Sequence, residues 1–396
     1  MTTAETYVPP HAPNQPFSRS DRSRLASWWW TTDHVLMACI GALILIGVGL
    51  SFASSPAAAA RMNYGDPLHF AYRQSFFAVG ATVTLLVTSL LSPRGVKRLA
   101  VVVFGAAIVL MALLPVIGHE AKGASRWINI GPFGLQPSEF MKPALIVLAS
   151  WMFAEAQKGK GVPGVTIAFF LYGLAVALLL IQPDFGQTIL ITAAFGAAFF
   201  MAGVPLKWIA GLAGVAAAGA VACYFAFDHV ASRVQRFLSP EGSDTHQIDR
   251  AAEAIAAGGL LGRGPGEGVM KRSVPDLHTD FIYSVAAEEY GLIFSLALIA
   301  LFSLLVLRGL YKAMKLSDPF EQVAAAALFV MVGQQALINV AVNLHLVPTK
   351  GMTLPFISYG GSSTLAIGLT LGMALALTRR RPGAYGASRR GEDAWT

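Results

Sequence analysis

The sequence is poor in charged residues. They make up 13% of the 396-residue chain, about half the roughly 25% of an ordinary soluble domain. Hydrophobic residues account for 55%, so the chain has too few polar side chains to cover the two or three soluble domains that its length would otherwise suggest. The composition therefore predicts a polytopic membrane protein and argues against the common soluble classes.

Cysteine is scarce as well. Cys39 and Cys223 both fall inside apolar runs, which excludes a disulfide framework and a zinc spacing and leaves the redox compartment open. The apolar run 35–53 is too long for a signal-peptide core and lacks a cleavage site, so we expect it to stay as the first span. The stretch "GRGPGEG" at 262–268 lacks the following Gly-Lys-Ser/Thr and a preceding strand, so we reject a nucleotide site.

Long apolar segments dominate what is present. A helix needs about 20 apolar residues to cross a bilayer, and ten segments of the sequence meet that length. We therefore predict an all-α, polytopic membrane protein with ten transmembrane helices. The segments are 33–53, 69–91, 97–117, 137–155, 163–182, 185–203, 206–227, 280–307, 321–345 and 353–378.

The predicted organisation is one membrane domain, 28–381, between a disordered tail, 1–27, and a second tail, 382–396. Basic residues concentrate in alternate loops and beside the last span, which predicts that both termini are cytoplasmic. These clusters are typical of topology determinants, and we expect no nucleic-acid partner. Three Gly- and Pro-rich loops then open on the outer face: 117–137, 346–360 and the large extracytoplasmic loop 228–279 between the seventh and eighth spans.

Acidic residues at the eighth span are the first candidates for chemistry. Asp280 opens the span and Glu288 lies eight residues later, about 12 Å deeper along a helix. Ionisable groups inside a membrane favour a functional role, although an aspartate in a first turn also stabilises a helix by its charge alone. For Glu288 the spacing leaves two interpretations open, function and a buried salt bridge.

The fourth span and the junction before the sixth supply further candidates. Glu139 and Lys142 are three residues apart and share a helix face, which fits either an internal ion pair or a lysine that meets an anionic substrate. Asp184 stands between Pro183 and Gly186, where it can cap the next helix or serve the site.

The last outer loop carries Lys350 and the run "SYGGSS" at 358–363. Gly360 and Gly361 can present backbone N–H groups to phosphate, or they can simply allow close helix packing, as Gly368 and Gly372 would. In the longest loop, 246–261 predicts an amphipathic helix that lies on the membrane or packs on the loop. We expect one outer site, an anion site with a carboxylate beside it, formed by Arg126, Glu139, Lys142, Asp280, Glu288 and Lys350.

At these residues the sequence resembles the SEDS family of shape, elongation, division and sporulation proteins. The resemblance spans 123–363 and rests on "GASRWINIGPFGLQPSEFMK", "QPDFGQT", "AIAAGGLLGRGPGEG", "PDLHTDFIYSVAAEE" and "PTKGMTLPFISYGGSS". The last of these is similar to the cell-division branch rather than the elongation branch. "IDR" followed by "GRGPGEG" resembles alphaproteobacterial members.

The resemblance implies a ten-helix glycosyltransferase that polymerises lipid II, an undecaprenyl-diphosphate-linked disaccharide, at the outer leaflet of the bacterial inner membrane. It also implies a complex with a class B penicillin-binding protein of the FtsI transpeptidase type, and with other divisome proteins, at the septum. The family's essential aspartate falls on Asp280, and its charged residues of the fourth span fall on Glu139 and Lys142.

The catalytic hypothesis assigns Asp280 as the general base for the acceptor hydroxyl. Lys142, Arg126 and Lys350 would stabilise the leaving diphosphate, and Glu139 would orient Lys142. Substrate contact by Asp184 or Glu288 stays open. No nucleotide is required, because the donor is already activated by its diphosphate, while a divalent cation, Mg²⁺ or Mn²⁺, held by Asp280 is an open alternative. The rival functions are a lipid II flippase, with the charges lining its path, and a scaffold whose charges only hold helices together.

Overall fold

The computed structural model describes residues 23–121, 124–131, 133–159, 161–203, 246–273, 276–348 and 351–379, with isolated positions between 210 and 235. The chain divides into two compact units, Val35–Thr378 and a smaller one that joins Met1–His34 to Arg379–Thr396. In the smaller unit, helix α1 (Arg24–Thr31) starts at an N-cap serine, Ser23, whose Oγ accepts the Ala26 N–H at 3.2 Å. Residues 24–27, which we assigned to the disordered tail, therefore already belong to a helix. The remainder of that tail and the predicted tail 382–396 lie outside the described residues.

Helices make up most of the larger unit, and all but His246–Gly258 are largely apolar. Their bounds are α2 (His34–Arg61), α3 (His69–Ser89), α4 (Pro93–Ile117), α5 (Pro137–Gln157), α6 (Gly164–Ile181), α7 (Phe185–Met201), α8 (His246–Gly258), α9 (Ile282–Ala313), α10 (Pro319–Asn343) and α11 (Gly361–Thr378). Local sequence sets several of the starts. Ser92 and Asp318 cap α4 and α10 through the N–H groups of Gly95 and Glu321, and a proline follows each cap, where its missing N–H costs no hydrogen bond.

Nine of the ten predicted spans coincide with a described helix, and the tenth, 206–227, falls largely outside the described residues. Seven of the described helices are long and apolar enough to cross a membrane, and α7 is a shorter apolar helix of 17 residues. The last span begins later than we expected, because α11 starts at Gly361 and residues 353–360 form turns before it. The helical membrane architecture is thus confirmed, with a different boundary at its last helix.

Burial separates central spans from peripheral ones. In α10 and α11 the buried share of the apolar segment is 72% and 89%, whereas it is at most 39% in α2, α3, α4, α6 and α9. A helix that is apolar all round and packed on every side belongs in the middle of a bundle, and exposed apolar faces on the others suit lipid. Gly368 and Gly372 let α11 approach α3 closely, since a Cβ on either would collide with Ala81 or Thr88. The packing interpretation of these two glycines is correct.

A three-stranded antiparallel sheet occupies the loop before α5. Its strands are β1 (His119–Ala121), β2 (Ala124–Ile130) and β3 (Phe133–Leu135), in the order β1-β2-β3. We expected an irregular loop here, although "RWINI" has the alternation of β-branched and polar residues typical of a strand. The sheet places Arg126 and Gln136 beside the starts of α5 and α7.

A break in α9 anchors the long loop. Gly291 has a φ of +81°, a left-handed conformation that glycine adopts without steric cost. The break frees carbonyls and N–H groups of α9, and the residues after α8 bond them. Arg263 N donates to Glu288 O at 3.0 Å, Gly264 N donates to Glu289 O at 2.9 Å, and Gly259 O accepts from Leu292 N at 2.9 Å. The loop is therefore hydrogen-bonded into the helix rather than resting on it.

Candidate active site

Asp280 lies at the mouth of α9, directly before its N-cap residue Phe281. A tight turn delivers it there: Asp276 has a φ of +51°, and its carbonyl accepts the N–H of Asp280 at 3.2 Å. The carboxylate is partly exposed and faces Gly351, where an added Cβ would lie 3.6 Å from Asp280 Oδ2. The carboxylate therefore lies beside the segment that precedes α11.

The buried side chain and the carbonyl of His278 hold the Asp280 turn in place. His278 is buried between Phe70 and Tyr359, with ring centroids 4.5 and 5.5 Å away, and its carbonyl accepts the N–H of Tyr359 at 2.8 Å. Burial lowers the pKa of His278 from 6.5 to about 4, against a smaller raising effect of the Asp276 carboxylate. His278 is neutral at physiological pH, and it joins the Asp280 turn to the run that leads into α11.

A second set of polar groups surrounds the first turns of α5 and α7. Lys142 Nζ donates to Glu139 Oε2 at 2.9 Å, with side chains 2% and 4% exposed. The other oxygen of Glu139 accepts from Gln187 Nε2 at 2.6 Å. Asp184 caps α7 by accepting the Gln187 N–H at 3.3 Å. The capping and ion-pair interpretations of these residues are therefore both correct as descriptions of the structure, and a substrate role for them stays a prediction.

Arg126 ties the sheet to the junction between α6 and α7. Its Nε donates to Gln182 O at 3.0 Å and its Nη2 to Pro183 O at 2.5 Å, while the Asp184 carboxylate lies 3.9 Å from Nε. We predicted that this guanidinium binds the leaving diphosphate. In the structure it holds backbone carbonyls that α6 cannot use, so its first role is architectural, and diphosphate binding stays a prediction.

The Asp280 turn and the Lys142 network lie at the same end of the bundle and are joined by the start of α11. Ser362 Oγ accepts the Gln136 N–H at 3.0 Å, next to the network. Its neighbour Ser363 shares a 2.6 Å hydrogen bond with Thr353. From there the chain 351–353 runs directly beside Asp280. A hydrogen-bonded path of side chains and backbone thus connects the carboxylate segment to the buried lysine.

Glu288 belongs to a different group. It is fully buried, and its two oxygens accept the N–H groups of Met270 and Lys271 at 2.7 and 2.8 Å. Lys271 in turn donates to Glu289 and, at 3.1 Å, to Ala53 O in α2. We call Lys271, Glu288 and Glu289 the loop latch. The buried salt bridge that we left open for Glu288 is formed by Glu289 instead, while Glu288 binds the loop backbone. Of the six charged residues expected in one site, the five that the structure describes fall into separate groups.

Several predictions fall elsewhere. Lys350 lies outside the described residues. A Cβ on Gly361 would meet the ring of Phe77 at 2.5 Å, so that glycine serves helix packing against α3. Helix α8 is the packed loop helix of our two alternatives, with Ala251 and Ala254 completely buried. Within the part of the chain that the structure describes, no three His, Cys, Asp or Glu side chains converge as a metal site would need.

Sequence reasoning missed the amides. Gln187 completes the Glu139 pair. From α10, Asn339 and Asn343 bond the carbonyl of Asp280, and Gln335 bonds Thr353 in the facing segment. Their spacing of four residues in an apolar helix was a readable signal, because polar residues on one face of a span need partners inside the protein. Lys271 gave no comparable signal, since nothing in a loop sequence points to its partner 18 residues later.

The chain matches known proteins over most of its length. The family model described as "Cell cycle protein", which covers FtsW, RodA and SpoVE, matches residues 33–382. A probable peptidoglycan glycosyltransferase FtsW of Caulobacter vibrioides is 71% identical over 372 residues, 94% of this chain and 95% of that protein. One of Trichlorobacter lovleyi is 36% identical over 361 residues, 87% of this chain and 93% of that protein.

Two solved structures share the fold. A chain from a study of how a peptidoglycan synthase complex coordinates polymerisation and crosslinking has a TM-score of 0.72 and 28% identity, and the match covers 88% of this chain and 98% of that chain. The rod-shape-determining protein RodA of Thermus thermophilus has a TM-score of 0.66 and 28% identity, covering 89% and 99%. The likeness extends over most of this chain and nearly all of each matched chain.

Proposed function

The chain belongs to the FtsW/RodA/SpoVE family and is a membrane peptidoglycan glycosyltransferase; from this premise we propose that it polymerises lipid II at the Asp280 turn. The observation that carries the assignment to this turn is the accessible carboxylate of Asp280, presented beside Gly351 at the end of the bundle that also holds Lys142. The donor is already activated by its diphosphate, so the reaction needs a base for the acceptor hydroxyl and positive charge for the leaving group.

Asp280 is the general base in this proposal. It takes the proton of the acceptor hydroxyl as that oxygen attacks the anomeric carbon, and the bond from that carbon to the undecaprenyl diphosphate breaks. Positioned proton transfer contributes typically about 10²–10⁴-fold. Asp280 is partly exposed, whereas Glu139 and Glu288 are buried and bind donors inside the protein.

Lys142 supplies positive charge toward the departing diphosphate, and Glu139 with Gln187 keeps its ammonium in place. A fixed charge in a dry site stabilises developing negative charge more strongly than a mobile charge in water does. Lys350 and Arg126 are further candidates for the same work, Arg126 by way of the α6–α7 junction that it holds. Asp184 contributes through that junction as the cap of α7.

A divalent cation also fits this arrangement. Mg²⁺ is commonly held by one or two carboxylates together with substrate phosphates, and Asp280 is the carboxylate that would hold Mg²⁺ or Mn²⁺ here. Such an ion would supply Lewis-acid stabilisation of the diphosphate oxygens. The residues described above would still bind and orient the lipid-linked donor and acceptor and exclude water.

The biological setting follows from the same premise. A peptidoglycan synthase complex that couples polymerisation to crosslinking contains a structural relative of this chain, which supports a class B penicillin-binding protein of the FtsI type as its partner. We place the enzyme in the bacterial inner membrane at the division septum, with other divisome proteins and with both termini in the cytoplasm.

The deciding experiment compares the purified wild-type protein and Asp280→Asn, each with its transpeptidase partner, on lipid II in detergent. Loss of glycan polymer on a gel, with unchanged thermal unfolding, is the expected result. Full polymer formation by Asp280→Asn would end the base assignment. A wild-type protein that moves lipid II across liposomes and leaves it monomeric would favour the flippase instead.

A further inference from the structure

Three buried amides form a column on α10. Gln335, Asn339 and Asn343 follow one another at intervals of four residues, so they share one helix face, and they are 3%, 1% and 0% exposed. An amide without a partner inside a membrane protein is expensive. The column therefore has to bind polar groups of neighbouring segments, and those groups show what it is for.

The lower two amides meet at one atom, the carbonyl oxygen of Asp280. Asn339 Nδ2 donates to it at 2.9 Å and Asn343 Nδ2 at 3.0 Å. In a continuous helix that oxygen would accept the N–H of Ser284. Here the Ser284 N–H instead bonds Phe281 O at 3.1 Å and Asn343 Oδ1 at 3.2 Å. The two asparagines thus replace the helical bond at the residue that carries the carboxylate.

Asn339 also holds the opposite wall of the site. The same Nδ2 donates to Met352 O at 2.6 Å, one residue from Gly351, which the Asp280 carboxylate faces. A single amide nitrogen therefore bonds the backbone of Asp280 and the backbone of the 351–353 segment. This one side chain therefore links the backbone that carries the carboxylate directly to that segment.

We propose that Asn339 and Asn343 are positioning residues for Asp280 and that together they form an amide clamp on its backbone. The clamp fixes the backbone at Asp280, so the carboxylate meets the acceptor hydroxyl from a fixed position. This inference rests on the proposed role of Asp280 as the base. A misplacement of about 1 Å at a reacting group can lower a rate on the order of 10²-fold.

Gln335 provides a matched control within the same column. Its Nε2 donates to Thr353 O at 3.0 Å and to Thr353 Oγ1 at 3.3 Å. Removing it costs the same helix a buried amide and two hydrogen bonds to the same loop, but it leaves the Asp280 carbonyl bonded. Any general loosening of α10 against the loop will appear in both variants.

The test measures lipid II polymerisation kinetics for Asn339→Ala, Gln335→Ala and Asp280→Asn, each purified with its transpeptidase partner. For Asn339→Ala we expect kcat to fall on the order of 10²-fold, with KM changed less than about twofold, because binding does not use the clamp. Gln335→Ala should lose only a few-fold in kcat. Equal losses in the two variants, or a loss in Asn339→Ala that lies in KM alone, would overturn the clamp.

The parallel arm separates the two proposals. If Asp280→Asn polymerises normally, the proposed function itself fails. If Asp280→Asn is inactive while Asn339→Ala keeps wild-type kcat, the clamp alone fails. Should Asn339→Ala not fold, Asn343→Ala decides, since it leaves both Asn339 bonds in place. It should lower kcat about tenfold, the equivalent of one 1.4 kcal/mol step, at unchanged KM, and an unchanged kcat would refute the clamp.

Discussion

Removing the carboxylate of Glu288 should release the long loop from α9. The two oxygens of this fully buried side chain accept backbone N–H groups of Met270 and Lys271 at 2.7 and 2.8 Å. In Glu288→Ala both donors lose their acceptor. In Glu288→Gln one oxygen remains, and the new amide group points N–H toward N–H.

The size of the effect follows from those two bonds. A buried donor left without a partner costs about 1–3 kcal/mol, so we expect Glu288→Ala to lower the free energy of unfolding by about 2–6 kcal/mol and Glu288→Gln by about 1–3 kcal/mol. The matched control is Glu267→Ala, since Glu267 is an exposed carboxylate in the same loop. It should leave stability unchanged.

Thermal unfolding measures the loss, and brief trypsin digestion locates it. Lys271 is 4% exposed while the latch is closed, so cleavage after this residue should be slow in the wild type and in Glu267→Ala but fast in Glu288→Ala. The reasoning would be refuted by a Glu288→Ala protein that unfolds normally and resists trypsin yet cannot polymerise lipid II. That result would return Glu288 to the substrate site.

Three further predictions concern single residues. Glu139→Gln leaves the buried ammonium of Lys142 uncompensated and should cost about 3–5 kcal/mol, which Lys142→Met in the same chain should largely restore in thermal unfolding; no restoration would refute the pairing. Gly291→Ala imposes a φ of +81° on a residue with a Cβ, and that Cβ collides with the loop backbone. The free energy of unfolding should therefore fall by more than the about 1–2 kcal/mol that the backbone conformation alone costs, and the melting temperature should fall with it. An unchanged melting temperature would refute the break. Burial lowers the pKa of His278 from 6.5 to about 4, so the unfolded chain binds this proton more tightly than the folded protein does. The free energy of unfolding should therefore decrease by up to about 3 kcal/mol as the pH falls from 6.5 to about 4. His278→Gln should lack this decrease, and a pH profile of stability identical to that of the wild type would refute the burial.

Apolar length made the helices predictable. A span of about 20 residues is dictated by bilayer thickness, so nine of the predicted segments coincide with described helices. Local capping chemistry likewise identified Asp184 as the cap of α7. The exceptions are short elements whose pairing is not local. Three strands of 3, 7 and 3 residues gain their hydrogen bonds from one another, and no run of apolar residues announces them.

The sequence predicted which residues belong to the candidate site better than it predicted how they are arranged. Sequence placed Glu139 and Lys142 on one helix face, and they are paired. It could not separate Glu288 from Asp280, because it put both on one predicted span. In the structure Asp280 precedes the helix, and the return of the loop near Gly291 brings the N–H groups that bind Glu288. The partners of the buried acids come from other segments: Gln187 lies 48 residues from Glu139, and Lys271 lies 18 residues from Glu289. Nothing in the sequence around a single glutamine or lysine indicates which distant residue it will bind.

The way the loop returns to α9 also determines where a mechanical load on it would travel. Residues 259–264 are hydrogen-bonded to the helix around Gly291, and residues 270–271 are bonded to Glu288. Pulling on the loop would therefore strain bonds along the same helix that begins beside Asp280, without slack chain in between. A partner that binds this loop and displaces it would therefore also displace the first turn of α9.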